Sequence, residues 1–261
     1  MIEPGDRRVT PQRAFLYGLP SRADRCYHTG MSGHELHILH EDNHLLVVVK
    51  PAGLLAQGDS SGDVTLLDLC KADLKARFGK PGHVYLGLVH RLDRPVSGVM
   101  VLARTSKAAA RLSEQFRSAQ VRKTYRAVVE GAPPAAEGEL VGHLAAAGDQ
   151  DGRTRWSPAP FPGSREAHLL YRVLAAAAGR SLLEVRPQTG RRHQIRVQLA
   201  AAGCPVAGDV KYGAPSALPD RSVALHAWRL EFSHPVGGAA LAFTAPAPDA
   251  APWSLFDGTR P

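Results

Sequence analysis

One carboxylate set among guanidiniums is the first group in this chain equipped to do chemistry. In the run His90-Arg91-Leu92-Asp93-Arg94-Pro95-Val96-Ser97-Gly98, Asp93 stands between Arg91 and Arg94, and an apolar β-rich stretch, 99–103, follows at once. A lone acid among cations at the edge of a strand is held charged and held still, as a nucleophilic or proton-abstracting carboxylate requires. Taken alone, the same residues would serve equally as a structural ion pair. Two other segments add polar side chains. RKTYR (122–126) sets the phenol of Tyr125 among cations, and TGRRHQIR (189–196) gathers Arg191, Arg192, His193, Gln194 and Arg196 with no acid among them.

Other chemistries find no support. His37, His40 and His44 lack the Cys or carboxylate pattern that completes a zinc site. Ser97-Gly98 lacks the preceding glycine of a G-x-S-x-G elbow. Neither a G-x-x-x-x-G-K loop nor a strand-linked G-x-G-x-x-G run is present, which argues against nucleotide-dependent and dehydrogenase classes.

The 261 residues fit one large domain or two small ones. Cys26, Cys70 and Cys204 lie far apart, which suits a reducing compartment and excludes a disulfide scaffold. No apolar run approaches the roughly 18 residues of a membrane span, and the first residues lack the apolar core of a secretory signal. The expected setting is cytoplasmic. Net charge is +8, and it is concentrated: between Arg91 and Arg126 the only acids are Asp93 and Glu114, and Arg186, Arg191, Arg192 and Arg196 form a second acid-free cluster. Such clusters make either a phosphate-binding footprint or a solvated basic face.

The elements that must position these groups read as α+β, a large mixed and mostly antiparallel sheet with a central cleft and flanking helices. Residues 1–33 read as a loosely ordered arm, with Met31 as an alternative start of translation, and 34–261 as the catalytic domain. Leu45 to Val49 forms a short buried strand closed by a turn at 50–53. The spacing of Leu66, Leu67, Cys70, Leu74 and Phe78 predicts a helix over 64–78. Strands follow at 99–103 and 124–130, with a helix between them capped by Thr105 and striped by Ala108, Leu112 and Phe116. The Ala-, Pro- and Gly-rich stretch 131–167 reads as long connections with one short strand. A strand pair over 168–174 and 181–186, a helix over 191–202 stopped by Gly203, and a strand over 223–232 complete the pattern.

In order and spacing, four blocks resemble the RluA-type pseudouridine synthases: HILHEDNHLLVVVKPAGL (37–54), LVHRLDRPVSGVMVLA (88–103), RKTYRAVVEG (122–131) and TGRRHQIRVQ (189–198). GCPVAGDVKYG (203–213) and LHAWRLEFSHP (225–235) extend the match. The resemblance implies an isomerase that breaks the N1–C1′ bond of a uridine in structured RNA, turns the base and joins C5 to C1′, with no cofactor and no metal. It implies Asp93 as the catalytic aspartate, Arg196 as its guanidinium partner, Tyr125 against the base, and Arg91 in the gap the flipped base leaves. His90, Leu92, Lys123, Arg191, His193 and Gln194 are the remaining expected substrate contacts. The Tyr125 phenol could also take the C5 proton. The expected partner is ribosomal or transfer RNA, bound by a monomer without any membrane. The arm is too short for the small S4 domain of many relatives, and Pro95-Val96, Val49 and Arg192 depart from the family pattern. The rivals are a non-catalytic RNA-binding or RNA-folding protein on this fold and a metal-dependent RNA-processing enzyme.

Overall fold

A single sheet of twelve strands frames the molecule in the computed structural model, which describes residues 25–28, 35–79, 81–148 and 152–259. In chain order the first part is β1 (Arg25–His28), β2 (Glu35–Glu41), β3 (Leu45–Lys50), α1 (Leu66–Phe78), β4 (Gly87–Leu88), β5 (Ser97–Ala103) and α2 (Ser106–Arg117). The second part is β6 (Arg122–Glu130), β7 (Glu137–Ala146), β8 (Thr154–Ser157), β9 (Arg165–Ala177), β10 (Arg180–Pro187), α3 (Gln194–Ala201), β11 (Leu225–Ser233) and β12 (Ala240–Thr244). The spatial order is β1-β2-β3-β5-β11-β6-β10-β9-β7-β8, with β12 beside β11 and β4 beside β5. Every pairing is antiparallel except β5 with β11.

The centre of the sheet is covered on both faces. All seven residues of β5 are buried, as expected for a strand sandwiched between layers. Alternation does the sorting. Leu46, Val48, Met100 and Leu102 pack with Leu66, Cys70 and Leu74 of α1, while Leu45, Val47, Val99 and Val101 pack with Ala108 and Leu112 of α2. Both helices start where the chain supplies caps. Thr65 and Asp68 close a capping box on α1, and the Thr105 side chain accepts from the Ala108 N–H on α2. Gly98 adopts φ +127, and a Cβ there would overlap the backbone of Ala227 on the parallel partner strand. Only glycine allows β5 and β11 to approach so closely.

Several expectations change. The stretch 131–167 contains the ten-residue β7 and the short β8, and β9 begins at Arg165. Half of β7 faces solvent, so its sequence never alternates clearly, and pairing with β9 supplies the order. The C-terminal stretch adds β12. Phe78 is 51% exposed, and Leu69 and Asp73 turn inward instead. The last helix starts only at Gln194, because His193 takes a left-handed conformation. Most of the expected N-terminal arm lies outside the described residues; within it, Arg25–His28 pairs with β2. Among the described residues no helix is long and apolar enough to cross a membrane.

Candidate active site

The HRLD segment leaves the sheet between β4 and β5, at the mouth of a cleft of about 580 Å³. That volume lies within the roughly 300–1,000 Å³ usual for small-ligand pockets. Leu92, Val96, Ile195, Leu225 and the ring of Tyr125 form apolar wall, and Asp93, Arg91, Lys123, Arg191, His193 and Arg196 supply the polar groups. The three candidates Asp93, Tyr125 and Arg196 therefore line one cavity, although they come from three different parts of the chain.

Asp93 takes its guanidinium from a distant residue, not from its sequence neighbours. Arg94 turns away, donating through Nε to the Gly53 carbonyl at 3.0 Å and pairing with Asp63 at 2.9 Å. Arg91 is exposed at the cleft. The partner is Arg196, whose Nη1 donates to Asp93 Oδ2 at 3.0 Å. Among the described residues no hydrogen bond engages Oδ1, and the Asp93 side chain is 27% exposed. One carboxylate oxygen is held and the other is left to the cleft.

Asp209 holds Arg196 in turn. It is buried and accepts from Arg196 Nε at 2.6 Å and Nη2 at 2.8 Å, a two-pronged carboxylate–guanidinium pair. Burial works against the charge on Arg196, but the bonds and charges of Asp209 and Asp93 outweigh it and hold the guanidinium above its ordinary value. Sequence reading missed Asp209. The available signal was a lone acid in an otherwise apolar Pro-Val-Ala-Gly-Asp-Val stretch, since an acid seldom enters such surroundings without a cation to meet.

His193 sits on the other side of Asp93, its Nε2 3.8 Å from Oδ2, and its Nδ1 lies 2.6 Å from the Tyr212 hydroxyl. That hydroxyl accepts from the Thr154 N–H at 2.9 Å. Donating its own hydrogen to Nδ1 would leave the imidazole hydrogen on Nε2, facing the carboxylate. Burial lowers His193 to about 4, against the charge of Asp93, so the ring is neutral at pH 7.

Burial raises the Tyr125 phenol and the negative charge of Asp93 adds to it. The hydroxyl keeps its proton, so a base role toward the C5 proton would fall to the neutral phenol oxygen. What Tyr125 offers is its ring face. Lys123 is lowered by burial and reaches the Thr189 carbonyl at 3.4 Å.

Two expected substrate contacts, His90 and Gln194, line the cleft and also brace its frame. His90 Nε2 accepts from the Val101 N–H at 3.0 Å, and its ring stacks on Phe116 at 4.6 Å. Burial and the nearby Lys123 lower it to about 3. Gln194 spends its amide on the 189–191 loop, accepting from Thr189 Oγ1 at 2.8 Å and the Arg191 N–H at 2.9 Å and donating to the His168 carbonyl at 3.0 Å. A helix-side glutamine beside a basic cluster gave no hint of this. Lys50, read only as part of a turn, is fully buried behind Asp93. Its Nζ donates to the carbonyls of Leu54, Pro51 and Arg94 at 2.7, 2.9 and 3.1 Å. Burial pulls it to about 7, opposed by the charge of Asp93. His40 and His234, at 2.9 and 3.1 Å from Asp42 Oδ2, lock a turn remote from the cleft.

Comparison with known proteins identifies the family. Residues 44–201 match the family model for RNA pseudouridylate synthase. The chain is 37% identical over 231 residues to the ribosomal large subunit pseudouridine synthase D of Xanthomonas campestris pv. campestris, covering 82% of this chain and 66% of that one. It is 34% identical over 225 residues to the protein of the same name from Zymomonas mobilis, covering 82% and 69%. It thus spans about two thirds of the length of these relatives. The solved structure of human RNA pseudouridylate synthase domain containing 4 superposes with a TM-score of 0.67 at 29% identity, covering 81% of this chain and 88% of that one.

Proposed function

The chain belongs to the RNA pseudouridylate synthase family, as its RluA-type motifs implied, and from that premise we propose that it isomerises uridines in RNA to pseudouridine with Asp93 as its catalytic carboxylate. The observation that carries the reading is the relay Asp209–Arg196–Asp93, which opens on a nucleoside-sized cleft walled by Tyr125. In the reaction the N1–C1′ bond breaks, a C5–C1′ bond forms, C5 loses a proton and N1 gains one. Atoms balance within one nucleoside, and no second substrate is consumed.

Each group has a role of its own. Asp93 Oδ1 meets the nucleoside, either as a nucleophile toward C1′ or C6 or as a base toward the sugar. Arg196 holds the other oxygen and fixes the carboxylate against the apolar wall of the cleft. Tyr125 lies against the uracil ring, and neutral His193 offers Nε2–H toward Asp93. A stacked uridine cannot reach this cleft, so the base flips out, with Arg91 at the mouth placed to fill the gap. The names of the relatives direct the substrate proposal to large-subunit ribosomal RNA ahead of transfer RNA. The protein would act in the cytoplasm as a monomer.

The test is tritium release from RNA labelled at uridine C5, using total RNA from cells that lack this gene. Wild-type protein releases tritium and Asp93→Asn releases none, while both bind RNA within a few-fold of each other. Turnover by Asp93→Asn near the wild-type rate would overturn the assignment.

A further inference from the structure

The sheet carries a second basic face that the cleft does not use. Along β6, Lys123 and Tyr125 open into the cleft, and Arg126 faces the other way, as alternation demands. Across the ladder Arg126 stands opposite Glu184 of β10, and Glu184 opposite Arg172 of β9. Three guanidiniums converge on Glu184: Arg186 at 2.6 Å, Arg126 at 3.4 Å and Arg172 at 3.6 Å. The carboxylate is only 8% exposed, whereas the Arg172 and Arg186 side chains remain more than half exposed. Arg126 also lies 4.2 Å from the ring centroid of Trp228.

Of these residues Glu184, Arg186 and Trp228 line a groove of about 620 Å³, with Arg122, Arg229 and Glu231, and Arg172 adjoins it through its pairing with Glu184. Arg229 is neutralised by Glu231 at 3.0 Å. Glu184 can neutralise only one of the three guanidiniums around it. Holding like charges together is unfavourable unless an anion joins them. The groove is also continuous with the cleft, because Ala119, Val121, Lys123, Pro187 and Gln188 line both. A strand leaving the cleft need only cross that rim to reach the arginines.

We propose that this groove binds the phosphate backbone of the RNA strand flanking the target uridine, with Arg122, Arg172 and Arg186 on phosphates and Trp228 against a base or ribose. The inference rests on the reading of the cleft as the uridine-isomerising site. Buried Glu184 acts as an anchor that holds the guanidiniums in place while leaving their outer edges free. Trp228 is half-buried, with Arg126 over its ring, and an indole that lines a groove in this way is a sequence-tolerant stacking platform. The site therefore adds affinity without choosing the base.

The test compares wild type with Arg172→Gln/Arg186→Gln and with Arg186→Gln alone. These side chains are half exposed, and a thermal melt checks that the fold survives. The substrate is C5-tritiated total RNA from cells lacking the gene, and binding is followed from low to moderate KCl. For the double variant, KM rises at least five-fold, kcat stays within two-fold, and the slope of log Kd against log salt falls by about 1.4, the value for two single-strand phosphate contacts. Arg186→Gln alone gives an intermediate KM and slope. A KM and slope equal to wild type overturn the proposal while leaving the cleft reading intact. Wild-type protein that releases no tritium overturns the cleft reading itself, and the groove proposal falls with it.

Discussion

Replacing Asp209 by asparagine tests whether the candidate site depends on a residue that never meets RNA. Asp209 is 1% exposed and Arg196 4% exposed, so the pair is almost wholly buried although Arg196 lines the cleft. Asparagine keeps one oxygen for the fork but turns an NH2 toward a guanidinium N–H, so one of the bonds now at 2.6 and 2.8 Å is lost. A hydrogen bond to a charged group contributes about 1.5–3 kcal/mol. Removing one charge of a buried pair costs about 3–5 kcal/mol because the other stays buried. At about 2–4 °C per kcal/mol for a chain of this size, Tm should fall by on the order of 10 °C. Arg196 is left with Asp93 as its one remaining carboxylate and moves toward it, so the angle presented to the nucleoside changes. If that misdirects one charge-assisted bond, kcat falls by about 10- to 150-fold, while KM for RNA stays within about three-fold. The assay is tritium release at 20 °C, well below the melt, with a urea titration alongside. A Tm within 2 °C of wild type together with kcat within two-fold would refute the relay.

Three further outcomes are expected. Lys50→Met deprives the carbonyls of Pro51, Leu54 and Arg94 of their shared donor and lowers stability by at least about 2 kcal/mol; a urea midpoint at or above wild type would show that these bonds do not hold the turn. Because burial holds Lys50 near 7 in the folded chain, between pH 7 and the ordinary 10.5 the unfolded chain keeps a proton that the folded chain has released. Stability therefore rises with pH across that window, and Lys50→Met should lose this component of the slope. His226 is buried between Ser97 Oγ at 2.8 Å and the Ala245 carbonyl at 3.1 Å and is lowered by burial to about 4. As pH falls from 6.5 to 4 the unfolded chain gains a proton the folded chain refuses, which removes roughly 3 kcal/mol; an unchanged acid melting profile for His226→Gln would contradict this. Arg122→Ala/Lys123→Ala should weaken RNA binding and lower the salt slope by about 1.4, and equal slopes would move the phosphate contacts elsewhere.

What could be read from the chain followed from how local its causes are. Strand β5 is a short apolar run beside a turn, and α2 has a threonine cap and a regular stripe; both lie within a few residues of what the sequence implied. The pairing of Asp93 with Arg196 came from resemblance, since 103 residues separate them. Arg94 illustrates the opposite failure. Adjacent in sequence, it points toward Gly53 and Asp63, because the chain turns at Arg94-Pro95, where the Val96 N–H returns to the Asp93 carbonyl at 3.1 Å. Strand β7 was hidden by its glycines and alanines and its half-exposed pattern, and its order comes from β9, which no local pattern reveals. Gln194 and His90 are expected substrate contacts by resemblance alone; both line the cleft, and their hydrogen bonds to the loop and strand that shape it join residues no local pattern brings together.

Strand β11 lies between β5 and β6, although the chain delivers it from residues 225–233. The two halves of the sheet, one bearing Asp93 and the other Tyr125, are therefore joined through a late segment, across the parallel bridge from Gly98 to Ala227. A ribosome makes the halves in sequence and the joining strand afterwards. Until that strand has emerged, the carboxylate and the surface meant for the base have no common ladder to hold them in register. A chain that stops short of β11 has both walls of the cleft and no ladder to join them. The cost is kinetic, because so distant a pairing forms slowly.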